Sequence, residues 1–152
     1  YRIKYVLHPI VSAQVDDFDK NDYVDIIPAV GDMSYETMFR ESSLMVTDFS
    51  GIQFDFAYMR KPLVYLHHRD IPQHYEEGTF FYDTMAFGEI AHDNDELIDL
   101  LCEYMANGCK MKEEYVRRAD DFFYYRDHNN CKRIYDTMID YQNKKILPYR
   151  QK

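Results

Sequence analysis

The chain has 152 residues, 46% hydrophobic and 16% aromatic, which suits one domain with a real core and excludes a disordered segment. Its net charge of −9 argues against a nucleic-acid partner, and any phosphate ligand needs local positive groups set against an unfavourable overall field. Cys102, Cys109 and Cys131 are odd in number and form no Cys-x-x-Cys pair, so they read as free thiols of a reducing compartment.

No apolar run approaches the ~20 residues that span a bilayer. No leader pattern is present either, and the chain opens on a strand-like run without a methionine, as if taken from a longer protein.

Residues 1–7 carry the β-branched and aromatic content of a strand, closed by His8-Pro9. Proline disfavours the helical conformation for His8 and places the imidazole at the strand's carboxyl end. Residues 11–19 fit a short helix or a loop. Residues 23–27 read as a second strand ended by Pro28, and Gly31-Asp32 marks a turn. Ser34 caps a helix from Tyr35 to about Ser42, with Tyr35, Met38 and Phe39 on one face.

Leu44-Met45-Val46 is a short apolar run suited to a strand buried on both faces. The polar turn Thr47-Asp48-Phe49-Ser50-Gly51 follows. Residues 52–58 are apolar nearly all round, as in a helix packed deep inside a domain. Ser50 with Gln53 is a capping-box pattern that starts this helix at Ser50. Strand, tight turn and helix start together offer outward N–H groups and a favourable dipole to an anion. A plain structural turn, with Ser50 as cap and Asp48 tying the loop, is the alternative.

Arg60-Lys61-Pro62 ends that helix, and residues 63–66 form another buried strand. From His67 to Phe87 periodicity fails, as in a functional loop or an irregular excursion. Residues 88–91 fit a last strand. Asp93 and Glu96 form a second capping box, opening a helix with the face Leu97, Ile98, Leu101, Tyr104 and Met105, closed by Gly108. Tyr115, Val116, Ala119, Phe122 and Phe123 line the next helix, and Ile134, Tyr135, Met138 and Ile139 the last. Both stripes read as core. The alternation predicts an α/β fold with a parallel, doubly wound sheet, helices on both faces, over a single domain 1–152.

In such a sheet the strand carboxyl ends share one rim, which brings His8 and the Thr47–Gly51 turn to the same edge. The cluster His67-His68-x-Asp70-x-x-x-His74 matches no defined zinc spacing and reads as loop histidines rather than metal ligands. No metal and no cofactor is expected. Gly78 sits where the backbone must turn or approach something closely. No nucleophile elbow, P-loop or Gly-x-Gly-x-x-Gly occurs.

His8-Pro9, Thr47-Asp48-Phe49-Ser50-Gly51, Phe54-Asp55-Phe56-Ala57 and Lys61-Pro62-Leu63, in this order, resemble the CDP-glycerol glycerophosphotransferases of teichoic acid synthesis. Gly78-Thr-Phe-Phe-Tyr-Asp and Gly88-Glu-Ile add to the likeness, which covers most of the chain to about Tyr141. The resemblance implies the C-terminal, Rossmann-like half of a GT-B architecture, without its opening strand and without the N-terminal domain that carries the catalytic base. It implies that His8 and the Thr47, Asp48, Ser50, Gly51, Ile52 and Gly78 positions hold a CDP-alcohol. A polyol-phosphate or glycan hydroxyl is then the acceptor and CMP is released.

It further implies a cytoplasmic place, or a peripheral one at the inner face of the membrane through the full-length protein. This sequence departs from the family pattern at Val6-Leu7 for Lys-Pro, at Gly51 for a second serine and at Glu77 for an arginine. Each change removes a donor or a positive charge. A nucleotide-sugar glycosyltransferase half and a degenerate binding or scaffold domain therefore stay open beside the transferase.

Overall fold

The computed structural model describes residues 1–19, 21–29, 34–71, 78 and 80–144. The expected Gly31-Asp32 turn and the positions His74 and Glu77 lie outside them. In chain order the elements are β1 (Ile3–Val6), a 3₁₀ helix (Pro9–Asp17), β2 (Val24–Ile27), α1 (Tyr35–Glu41), β3 (Met45–Thr47) and α2 (Ile52–Tyr58). There follow β4 (Leu63–Leu66), α3 (Tyr82–Met85), β5 (Glu89–Ala91), α4 (Asn94–Ala106), α5 (Glu113–Phe122) and α6 (Asn130–Asn143). Every strand pairing is parallel, so the fold is an α/β, Rossmann-like fragment, as the alternation implied.

The strands form two sheets, β1-β2 and β3-β4-β5. Both orders, β2-β1 and β3-β4-β5, are compatible with pieces of a doubly wound parallel sheet. No strand among the described residues joins the two sheets. β1 and β3 therefore each carry one open edge. The side chains beside those edges are correspondingly bare, with Ile3 57%, Tyr5 51% and Val46 42% exposed. This corrects the expectation that residues 44–46 are buried on both faces: β3 is an edge strand.

β4 is the strand that is covered twice. Leu63 and Tyr65 face a cluster with Phe56, Ala57, Ala86, Phe87 and Ala119, from α2, the α3 end and α5. Val64 faces Ala91 and Tyr104, with Leu97, Leu100 and Leu101 of α4 packed around them. The uninterrupted apolar run Leu63–Leu66 is what a strand with helices on both sides requires. Gly88 precedes β5 against the start of β4, where an added Cβ would lie 1.8 Å from the Leu63 carbonyl oxygen.

Two of the expected helix caps form. The Ser34 side chain accepts from Thr37 N and starts α1, and the Asp93 side chain accepts from Glu96 N at 2.9 Å. Glu96 reaches back one residue further than the box pattern prescribes, to the N–H of His92 at 2.7 Å. After α4 the chain reverses at Gly108, φ +75°.

The short helix that was one of the two expectations for residues 11–19 is present as a 3₁₀ helix over Pro9–Asp17, with a kink at Gln14. Other expectations are corrected. Ile98 is exposed while Leu100 packs inward. The α2 helix is not apolar all round, since Asp55 and Tyr58 face outward. Lys61 does not serve the end of its own helix. Its ammonium donates to Phe39 O (2.6 Å), Arg40 O (2.7 Å) and Ser42 O (2.6 Å), closing the carboxyl end of α1.

The stripe on α6 is amphipathic but not core. Ile134, Tyr135 and Met138 are 62%, 65% and 66% exposed, because no described element lies over that face.

Candidate functional site

His8 ends β1 in extended backbone before Pro9 and caps the 3₁₀ helix, its Nδ1 accepting from Ile10 N at 3.2 Å. An imidazole that accepts at Nδ1 carries its proton at Nε2, so an N–H donor is left facing away from the chain. The ring is exposed. Thr47, buried, closes β3, and Asp48 is exposed in the turn that follows.

The helix after this turn begins later than expected. Gly51 is the N-cap of α2 (φ −63°, ψ −17°) and no side chain caps it. The capping box of Ser50 and Gln53 is not formed, because Gln53 is drawn into the interior. Its amide Nε2 donates to Tyr82 Oη at 3.2 Å, and its Oε1 accepts from Tyr65 Oη at 2.7 Å. Tyr65 Oη in turn accepts from Phe87 N at 3.2 Å. Burial pushes the Tyr65 phenol well above its ordinary range, so it is a fixed neutral donor. Ser50 keeps its hydroxyl uncommitted among the described residues, as do the N–H groups of Ser50, Gly51 and Ile52.

Positive charge near the turn is committed elsewhere. Lys61 is held by the α1 carbonyls, and burial lowers its pKa. Arg60 pairs with Asp120 at 2.8 Å. Arg69 pairs with Glu96 at 2.7 Å. Among the described residues, what the turn itself offers an anion is N–H and O–H groups.

A match to the family described as CDP-Glycerol:Poly(glycerophosphate) glycerophosphotransferase spans residues 1–140 and so takes in His8 and the whole turn. The chain belongs to that family. It is 37% identical over 146 residues to the minor teichoic acid biosynthesis protein GgaB of Bacillus subtilis (strain 168), which covers 96% of this chain and 16% of GgaB. No solved structure matches.

In this glycerophosphotransferase-family chain, His8 and the turn belong to different sheets, and no hydrogen bond joins them among the described residues. Gly78 is exposed, with nothing within 4 Å of an added Cβ. Among the described residues no close approach to Gly78 is present, and the turn that was the other expectation involves neighbours outside them. Among the described residues no group of three His, Cys, Asp or Glu is arranged to hold a metal. No helix among them is long and apolar enough to cross a membrane.

Sequence reasoning missed the support behind the turn. His67, taken for a solvated loop histidine, stacks on Phe49 with ring centroids 4.1 Å apart and planes at 20°. Tyr82 meets both rings edge-on, Phe49 at 5.6 Å and His67 at 4.7 Å. The only available signal was three aromatic residues at unrelated positions, which no spacing rule connects.

Gly51 offers a direct check of the turn geometry. Its backbone is right-handed and its Cβ position is open. Gly51→Ser should therefore stabilise the domain by about 0.5 kcal/mol, through a less flexible unfolded chain and a better N-cap. A shifted urea midpoint measures it. A loss of stability would show that the turn needs glycine after all.

Proposed function

We propose that this chain is the C-terminal, CDP-alcohol-binding domain of a GT-B-type transferase. The enzyme moves glycerol phosphate from CDP-glycerol to an acceptor hydroxyl in the synthesis of teichoic acid or a related cell-surface polymer. The family match over residues 1–140 carries this reading; the 37% identity to GgaB supports the polymer class.

The Nε2–H of His8, the Ser50 hydroxyl and the N–H groups of Ser50, Gly51 and Ile52 hold the donor's diphosphate, with Thr47 and Asp48 shaping the turn. The acceptor oxygen attacks the β-phosphorus while the bond to the bridging oxygen breaks, and CMP leaves with that oxygen. The acceptor's proton passes to a base in the N-terminal domain of the longer protein. Groups fixed before the reaction and aimed at developing phosphate charge are the main source of rate in such transfers.

The test is CMP release by the full-length protein from CDP-glycerol and a polyglycerophosphate primer. His8→Ala and Ser50→Ala should each lower the rate by about 10²-fold, while the 1–152 chain alone should release none. Competition by CDP, UDP and GDP separates this enzyme from a nucleotide-sugar glycosyltransferase. A full-length protein that binds no CDP-glycerol by calorimetry would leave the scaffold, the reading favoured by the lost hydroxyl at Gly51.

A further inference from the structure

His67 directly follows β4 and fills the space behind the Thr47–Ile52 turn. Its backbone is fixed to the next strand, His67 N donating to Ala91 O at 2.9 Å. Its ring lies flat on Phe49 at 4.1 Å, receives the edge of Tyr82 at 4.7 Å and 81°, and meets Tyr65 at 5.8 Å. It is also hydrogen-bonded to the Asp48 backbone. Nε2 is buried with no hydrogen-bond partner among the described residues. One ring thus touches two residues of the turn, while Tyr65 and Tyr82 hold Gln53 in the first turn of α2.

We propose that His67 is the positioning residue of this turn: its neutral ring, held between Phe49 and Tyr82, sets where the Ser50, Gly51 and Ile52 N–H groups point, and protonation releases them. The proposal rests on the donor-binding role given to the turn above.

The chemistry follows from the count of partners. A neutral imidazole needs one acceptor for its single N–H, and the Asp48 backbone supplies it. An imidazolium needs two, and the buried Nε2 has none, so the charged ring must leave the stack or drag the turn with it. The titratable groups facing it are Asp48 after β3, Tyr65 on β4, Tyr82 on α3 and His92 after β5. Burial has the largest effect and lowers the His67 pKa below its ordinary 6.5; the Asp48 backbone bond opposes it, the His92 charge adds to it, and the Asp48 carboxylate opposes it. The folded state thus binds this proton less readily than the unfolded chain. The resulting stability is complete above the unfolded value and is lost as the pH falls towards the lowered folded one.

Two measurements on the full-length protein test this, using ¹³C-histidine and ¹⁵N-glycine labelling and CDP-glycerol as probe. The Gly51 amide resonance should titrate with the His67 ring in the parent. It should be flat in His67→Phe, which keeps the stack and removes the titration. CDP-glycerol should bind about 5-fold more weakly to His67→Phe at pH 8. The acid-induced loss of affinity seen in the parent should be absent from that variant.

A Gly51 resonance indifferent to both His67 titration and His67→Phe overturns the proposal, whatever the donor does. A responsive Gly51 in a protein that binds no CDP-glycerol upholds the positioning role and overturns the donor reading instead. Should His67→Phe misfold, His67→Gln supplies the same comparison.

Discussion

Gly88→Ala is expected to cost more than about 4 kcal/mol, beyond the range of ordinary point substitutions. The new methyl carbon would lie 1.8 Å from the Leu63 oxygen and 2.8 Å from its carbonyl carbon. These are backbone atoms, and a Cβ has no rotamer with which to avoid them. Relief requires β5 to move away from β4, which breaks the Val64–Glu89 pairing that begins their ladder. The Val64, Ala91 and Tyr104 cluster would open with it. Urea unfolding and soluble yield measure the effect. A variant within about 1 kcal/mol of the parent would show that β4 and β5 are not packed this closely.

Tyr65→Phe is the second large effect, expected at about 3 kcal/mol although only one oxygen is removed. That oxygen donates to Gln53 Oε1 and accepts from Phe87 N, and both groups would be left buried and unpaired at about 1–3 kcal/mol each. Because Gln53 lies in the first turn of α2, donor affinity should fall with stability. Tyr115→Phe is the control. Its ring is also buried, and burial pushes its phenol up to about 12. No hydrogen bond holds its hydroxyl among the described residues, so its loss should cost no more than about 0.5 kcal/mol. Equal costs for the two substitutions would sink the claim that the Gln53 network matters. A cycle with Gln53→Met apportions the energy between the partners.

The contrast between these residues shows which parts of the molecule could be seen in the sequence. Leu63–Leu66 announced a buried strand correctly, whereas the similar run Leu44–Val46 proved to be an edge strand, because apolarity alone does not say how many neighbours a strand has. Ser34 and Asp93 announced their helices because a cap is satisfied within three residues of itself. Ser50 carried the same pattern and failed, since Gln53 found partners 12 and 29 residues away. A local rule has no access to such competition. The α6 stripe was legible as a pattern, but a pattern does not say whether another element arrives to cover it. The ordered set from His8 to Lys61 pointed to the family that the chain proves to belong to. The aromatic packing that holds the Thr47–Ile52 turn was invisible, since His67, Phe49 and Tyr82 meet only once β3, β4 and α3 are assembled.

The open edges of β1 and β3 also govern how copies of this chain behave in solution. An open ladder is a template for any extended segment that reaches it, and Arg2 and Lys4 of the β1 segment are already paired with Asp25 and Glu41. At high concentration, copies of the chain should dock onto one another through these rims and form oligomers. A strand-length peptide that pairs with either edge should suppress this association, and light scattering against concentration measures it.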